Sequence, residues 1–378
     1  MLKLSRAALA SALLALGIAA CGGDNGSEPR GDASAIDAQL MSTTMSKVDA
    51  VLDQPALQAM LGFDDPFVPV AAGARVGAAR VSGLRPPRLA PFAAPRAAAA
   101  PRLRTAAALA APDGGIPAEL RGRAYLHDVE NYRWLPDPSR SGAPANGVRF
   151  VLGPTVANPS AVVLGYVDVE DHGVPGAARL VTTIRPPAGA AVMTYDDRSS
   201  GDPFESPTYT ESLAGYVARG TDRLTFSSEL TATSSGTALP SELFTMAWAL
   251  PSADVSFEAG LVSRNAAGDS SYSVIHIGNR TLRTTNRFVP DTDFGGYQQG
   301  DTTRVYVDDR PYALVIVPTD FASDEEVKIV RPNGTPLPLS EQVTLMRHDA
   351  TIFRVTTLFF VPLIVEGWIW ELEPAGGA

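Results

Sequence analysis

The sequence contains few of the residues that catalysis and metal binding require. Cys21 is the only cysteine among 378 residues, so a disulfide framework is excluded and stability must come from a buried apolar core. Four histidines, at positions 127, 172, 276 and 348, have no metal-ligand spacing between them. No nucleophile elbow, P-loop, zinc-protease motif or dinucleotide fingerprint is present. We therefore predict a non-catalytic protein without a cofactor, with a hydrolase of unrecognised site as the alternative.

Basic residues are outnumbered by acidic ones over most of the chain, and the formal net charge is −10. A mostly acidic body repels phosphates, so nucleic acid is not expected as a partner. One segment is the exception, because residues 71–112 contain seven arginines and no acid. These are Arg75, Arg80, Arg85, Arg88, Arg96, Arg102 and Arg104.

The arginine-rich segment has the composition of a disordered linker. From 71 to 115 the chain is mainly alanine, proline, arginine and glycine, and such a segment cannot bury enough apolar surface to offset its ordering entropy. Two interpretations of the arginines stay open. They contact an anionic surface such as lipid or polysaccharide, or they only keep a linker soluble.

The N-terminus has the pattern of an export signal. Lys3 and Arg6 supply positive charge, and an apolar run follows from 7 to 20. This run has the length of a signal-peptide core and is too short to cross a bilayer, which takes roughly 20 apolar residues. We therefore predict a signal peptide over 1–20.

The end of that run resembles the lipobox of bacterial lipoproteins. It reads Ile18-Ala19-Ala20-Cys21, a branched residue and two small residues before a cysteine. The resemblance implies cleavage before Cys21, lipid on its sulfur, and attachment to a membrane through that lipid. Gly22 stands where an aspartate commonly marks inner-membrane retention in Gram-negative lipoproteins, so the outer membrane is the expected location.

The rest of the chain divides by composition and by hydrophobic period. Ser34 can cap a first helix, and Pro55 opens a second, short helix that Gly62 closes. Such an amphipathic pair packs on its own protein's core or on a partner. The predicted divisions are a signal peptide at 1–20, a flexible spacer at 21–33, a short helical segment at 34–70, a disordered linker at 71–115 and an antiparallel β domain at 116–378.

The β domain is predicted from alternating apolar and polar residues separated by turn residues. The clearest run is 222–233, where Leu224, Phe226 and Leu230 share one face and threonine and serine occupy the other. Because no helix-length segment lies between the strands, we predict a mainly β fold. Its large antiparallel meander sheet is a curved half-barrel or a sandwich. Strands are expected near 125–134 (a hairpin), 147–153, 161–169, 178–184, 190–195, 208–218, 222–233, 243–250, 254–264, 271–277, 280–288, 302–308, 311–317 and 326–331.

The C-terminal segment admits two interpretations. Ser340-Glu341-Gln342 is a good helix start, whereas 351–361 is rich in β-branched and aromatic residues and also suits a strand. We predict a helix from 340 to 361 that ends at Pro362 and packs on the apolar face of the sheet. An apolar tail with Trp368 and Trp370 would follow.

Two sets of residues, one acidic and one aromatic, are candidate sites. Acidic groups occur at Asp168, Glu170 and Asp171, at 196–197, at 291–293 and at 308–309, and are predicted to be strand or turn residues because none reproduces a calcium loop. Tyr125, Tyr132 and Trp134 on one hairpin suit the core or stacking on sugar, and the core is the prediction.

The architecture, though no residue motif, resembles periplasmic lipid and lipoprotein carriers. We therefore predict a lipid-anchored, non-catalytic cell-envelope lipoprotein that binds a hydrophobic ligand on the concave face of its sheet, with the membrane as a partner through Cys21. The alternative is a surface-displayed protein- or glycan-interaction module, with the arginine-rich segment as a basic stalk.

Overall fold

The fold is known from a computed structural model, which describes residues 38–61, 115–201, 208–233, 241–264, 268–291, 296–298, 302–316 and 328–372. The helices are α1 (Ala38–Leu52), α2 (Pro55–Leu61), α3 (Leu339–Thr356) and α4 (Val361–Trp370). The strands are β1 (Arg123–Asp128), β2 (Arg133–Pro136), β3 (Gly147–Thr155), β4 (Gly165–Asp171), β5 (Ala177–Arg185), β6 (Met193–Ser200), β7 (Thr208–Arg219), β8 (Asp222–Thr233), β9 (Ser241–Leu250), β10 (Val255–Arg264), β11 (Gly268–Ile277), β12 (Arg280–Asp291), β13 (Gly296–Gln298), β14 (Thr302–Val307), β15 (Arg310–Ile316) and β16 (Lys328–Val330).

The strands form one open, mostly antiparallel sheet. Its order is β16-β15-β14-β12-β11-β10-β9-β8-β7-β6-β5-β4-β3-β1-β2, and β13 pairs with β12 outside this path. Neighbours in sequence are therefore neighbours in the sheet from β3 to β12, as in a meander. One departure occurs at the start, where β1 pairs in parallel with β3 and antiparallel with β2. The prediction of a mainly β protein with a large antiparallel sheet and helices at both ends of the sequence is confirmed.

Strand alternation sorts the side chains to two faces. Along β8 buried and exposed residues alternate almost without interruption, so Leu224, Phe226 and Leu230 lie on the inner face with Ser228, and the threonines lie on the outer face. The inner face joins the helices in one apolar core. Near its β2 edge Trp134 and Phe150 lie 4.8 Å apart between ring centroids, and Trp368 lies 4.9 and 5.2 Å from them.

Helices α1 and α2 lie across one end of the sheet, at the turns that join β7 to β8, β9 to β10 and β11 to β12. Lys47 Nζ donates to the Ser252 carbonyl at 3.4 Å, and Arg219 Nη1 donates to the carbonyl of Ala50 at 2.6 Å. We call this the helix-capped end. The residues buried by α1 and α2 belong to the same hydrophobic cluster as the sheet, so these helices pack on the core of their own protein.

Helices α3 and α4 cross the inner face from one edge of the sheet to the other. At the start of α3, Glu341 accepts hydrogen bonds from Tyr312 of β15 and, at 3.1 Å, from Arg331. Further along, Arg354 Nη1 donates to Asp49 Oδ1 of α1 at 2.6 Å. None of the helices in the described ranges is long and apolar enough to cross a bilayer.

The prediction that Pro362 ends the C-terminal helix is wrong. The helix α3 ends at Thr356, a 3-10 turn covers Thr357–Phe360, and α4 begins at Val361. Proline is tolerated there because the first turn of a helix has no internal acceptor for its backbone N–H groups. Segment 351–361 is therefore helical, and the predicted apolar tail is α4.

Both edges of the sheet are short and partly covered. At the β2 edge the backbone N–H of Trp134 donates to the carbonyl of Glu371 at 3.0 Å, which adds the end of the described chain as one further bridge. At the other edge β16 has three residues, and Val330 bridges to Pro336. The bridge at the β2 edge reduces the backbone open to pairing there, and at the other edge β16 covers residues 314–316 of β15.

Candidate functional site

An apolar groove opens beside the first turn of α1, on the inner face of the sheet at the helix-capped end. It is shallow and open to solvent, and the volume that its walls enclose is about 30 Å³. In its floor Leu282 pairs with Ile275 and with Val307, so strand register places the three side chains in one row. The lining residues are Leu40, Met41, Ile275, Ile277, Arg280, Thr281, Leu282 and Val307.

The polar groups of the groove lie at its rim and are held by the β14–β15 turn. Asp308 Oδ1 accepts from the Thr281 N–H at 2.9 Å, and Asp308 Oδ2 lies 2.7 Å from Arg280 Nε. Both Asp308 and Asp309 have left-handed backbone, with φ of 49° and 61°, as the tight turn between two strands requires. The polar groups of the rim are therefore bonded to one another. The remaining lining consists of aliphatic side chains and methionine, which suit an apolar ligand rather than a polar one.

A second cluster, inside the core, contains three carboxyl groups and a tyrosine. Asp197, Glu211 and Glu366 are all buried, and the Tyr209 hydroxyl donates to Glu211 Oε2 at 3.0 Å. Burial raises the pKa of Tyr209, and the neighbouring charge of Glu211 raises it further. Because Glu366 lies on α4 and the others on β6 and β7, the cluster gives the helix a polar partner beneath it.

The side chains of neither cluster are arranged to hold a metal ion. Within the part of the chain that the structure describes, no group of three or more histidine, aspartate or glutamate side chains is placed to hold a metal ion. Tyr209, with its raised pKa, is a hydrogen-bond donor at neutral pH and not a base. The buried cluster therefore has the chemistry of a helix-positioning contact.

The outer face of the sheet carries ion pairs in register. Asp168 accepts from Arg149 Nε at 2.6 Å and from Arg149 Nη2 at 3.1 Å, and it also binds Arg185. Two strands further, Asp196 binds Arg179 and Arg198 at 2.9 and 2.6 Å. Partial burial raises the pKa of Asp196, but hydrogen bonds and charge from the two arginines lower it by more, to about 2. Both carboxylates are therefore paired with arginines of the same sheet and act as structural groups.

The histidines for which the structure describes a side chain lie in different parts of the fold and form no common site. His127 packs on Trp134 with ring centroids 5.0 Å apart, and burial lowers the pKa of His127. His172 lies 3.3 Å from Glu170, and His276 Nδ1 lies 3.1 Å from Thr281 Oγ1. His348 is a residue of α3 whose side chain lies outside the described set.

The other predicted positions divide between described and undescribed residues. Cys21 and the seven arginines of segment 71–112 lie outside the described residues, so lipidation and anionic contact stay predictions. Asp171 is a structural carboxylate that accepts from the Ile116 N–H at 3.0 Å and from Arg121 at 2.7 Å. In the hairpin, Tyr125 and Trp134 are buried as predicted, whereas Tyr132 is 72% exposed.

Sequence reasoning missed the groove. The alternation in 271–277 and 280–288 assigns Ile275, Ile277 and Leu282 to the apolar face, but all apolar-face residues give the same signal. What distinguishes these three is that α1 begins above them and leaves one side open.

Compared with known proteins, the chain matches no protein-family model, no curated protein and no solved structure. What bears on function is therefore the chemistry of its own residues.

Proposed function

We propose that this protein is a lipid-anchored, non-catalytic lipoprotein of the bacterial cell envelope that holds an apolar ligand on the inner face of its sheet. The observation that carries this proposal is the groove beside α1. Its floor is a row of aliphatic side chains, and the polar groups at its rim, Arg280 and Thr281, are bonded to Asp308. The anchor is proposed on Cys21 from the lipobox, with the outer membrane as its location.

The ligand is assigned to this groove rather than to the surface beneath α3 and α4. There Val355, Leu358 and Val365 are buried, and Phe359 packs edge-on against Phe226 at 5.6 Å between ring centroids. The protein's own side chains therefore occupy that part of the inner face. The proposed ligand is a single alkyl chain that lies along the aliphatic row, since the enclosed volume of about 30 Å³ admits nothing bulkier.

Ligand binding is tested with the chain from residue 22 onward and a fluorescent fatty-acid probe. Leu40 is 37% exposed at the groove, so Leu40→Trp should obstruct the groove and weaken probe binding about tenfold, the equivalent of roughly 1.4 kcal/mol. The matched control is Leu339→Trp, because Leu339 is exposed on α3 and does not line the groove. Unchanged binding in Leu40→Trp, or equal weakening in the control, would refute the assignment.

The anchor is tested separately in cells. Cys21→Ser should abolish incorporation of labelled palmitate and move the protein from the membrane fraction to the soluble fraction. Retention of label in the variant would exclude Cys21 as the lipidated residue.

The surface-displayed interaction module remains the second candidate, but one part of it is less favoured. A stalk must lie between the anchor and the domain, whereas α1 and α2, which precede segment 62–114, share the core of the sheet. The arginine-rich segment thus connects two parts of the chain that share one core. Protease access on intact cells distinguishes display from a periplasmic position.

A further inference from the structure

Large apolar side chains that are exposed to solvent concentrate at one corner of the sheet. Of the eleven large hydrophobic residues exposed in the described part of the chain, six lie there. They come from the β1–β2 turn, the β3–β4 loop and the end of α4. These six residues, which we call the aromatic corner, are Val129, Tyr132, Val156, Val162, Leu164 and Trp370.

Backbone pairing brings the three segments together. His127 pairs with Thr155, and the Val156 N–H donates to the His127 carbonyl at 3.0 Å, so the β1–β2 turn lies beside the β3–β4 loop. The bridge from Trp134 to Leu372 runs in parallel, which places Trp370 on the same side as the β1–β2 turn.

The aromatic corner lies at the helix-capped end, where the chain also arrives from its proposed anchor. Strands β3 and β7 both end there. Helices α1 and α2 lie along this end, because Gln54 between them donates to the Ala218 carbonyl at 2.9 Å and Ala56 of α2 lies against Gly165. Helix α1 begins at Ala38 beside the groove. Only residues 22–37 separate it from Cys21 in the sequence.

The turn that carries Tyr132 is fixed although its ring is exposed. Tyr132 has φ of 50°, a left-handed backbone that is unfavourable for a bulky residue. Asp128 Oδ2 holds the turn by accepting from Asn131 at 2.8 Å and from Arg133 at 3.1 Å. The exposed ring is thus presented by a preformed turn, an arrangement typical of a contact surface.

We propose that the aromatic corner rests on the membrane surface and orients the anchored protein with its helix-capped end toward the bilayer. Tyrosine and tryptophan favour the interface between lipid and water because each joins an apolar ring to a polar group. The aliphatic side chains of Val162 and Leu164 would enter the outermost acyl region. This inference rests on the proposed anchoring, which sets which membrane the corner meets.

The charges at the corner favour a zwitterionic lipid surface. Arg133 is paired with Asp128, and the exposed residues Glu130 and Glu371 add negative charge. A surface without excess positive charge gains little from anionic headgroups. Phosphatidylcholine vesicles are therefore the probe, and they also give the arginines of segment 71–112 no anionic partner.

The four tryptophans make the experiment selective. Trp134, Trp248 and Trp368 are buried, whereas Trp370 is 57% exposed. The chain from residue 22 onward, which keeps every described residue, is mixed with vesicles whose acyl chains carry bromine. We expect a blue shift and quenching of tryptophan emission, and Trp370→Phe should remove both changes.

A matched pair of substitutions tests the position of the surface. Val162→Asp should weaken partition onto the vesicles about tenfold. Val174→Asp should leave it unchanged, because Val174 is also exposed (63%, against 79% for Val162) but lies in the β4–β5 turn at the opposite end of the sheet.

Three outcomes would overturn the proposal: no quenching of the wild-type chain, quenching that survives Trp370→Phe, or equal weakening by Val174→Asp. Probe binding in the groove and labelling of Cys21 are measured without these vesicles. Their failure would refute the proposed function and leave the vesicle result standing.

Discussion

Replacing Leu57 by alanine should destabilise the whole sheet, although Leu57 precedes β1 by more than sixty residues. The Leu57 side chain is fully buried, and α2 packs on β3, β4 and β5. The substitution removes a buried isobutyl group and leaves a cavity, which together cost about 3 kcal/mol. That is a large fraction of the 5–15 kcal/mol by which domains are typically stable.

The assay is urea unfolding followed by tryptophan emission. Trp134, Trp248 and Trp368 are buried with the sheet and report its unfolding rather than that of α2. With a urea dependence of about 3 kcal/mol/M, the loss corresponds to a midpoint lowered by about 1 M without a change in slope. Leu339→Ala is the matched control, since Leu339 is 75% exposed and should change stability by less than about 0.5 kcal/mol.

An unchanged midpoint in Leu57→Ala would refute the reasoning, because it would mean that the sheet folds and unfolds independently of α2. Two separate transitions in the wild type would do the same. The predicted division into a helical segment and a β domain would then describe two folding units rather than two stretches of sequence.

Three other substitutions test the ion pairs of the outer face and the close approach of backbone at glycine. Asp196→Asn should cost no more than about 1 kcal/mol at neutral pH, because the carboxylate is only partly buried and solvent screens its pairs with Arg179 and Arg198, which are 42% and 57% exposed. Its pKa of about 2 lies below the ordinary value of 3.8, so the wild-type advantage exists above about pH 4 and shrinks as the pH falls toward 2; an advantage that grows on acidification in thermal melts would contradict this. Gly147→Ala should destabilise by several kcal/mol, since its Cβ would lie 1.8 Å from the Val169 carbonyl oxygen. Gly367→Ala, whose Cβ would meet open space in α4, should stabilise the protein by about 0.5–1 kcal/mol in thermal melts of the two glycine variants and the wild type.

Much of the fold could be predicted because one face of each strand is buried. The run 222–233 was predicted as a strand and is β8, since alternation leaves only one register that buries Leu224 and Phe226. Paired turn residues such as Asp308-Asp309 marked the hairpin ends. These are local signals, so they can be read without knowing the tertiary structure.

The sites could not be predicted because they depend on which surfaces the helices leave uncovered. Val162 and Leu164 were assigned to a strand at 161–169 by their apolar character, yet β4 begins at Gly165 and both side chains are exposed in the loop before it. In the same way, the groove floor differs from the rest of the inner face only because α1 starts beside it. Such differences arise from long-range packing, which no single run of residues encodes.

The covered sheet edges have a consequence for the behaviour of many molecules together. With the anchor proposed above, many copies of the protein would share a thin layer, where collisions between them are frequent and their orientations are similar. An open sheet with long bare edges would polymerise under those conditions, strand against strand. The bridge from Trp134 to the end of the described chain and the shortness of β16 work against such fibres, so an unclosed sheet can remain a separate molecule even in a crowded layer.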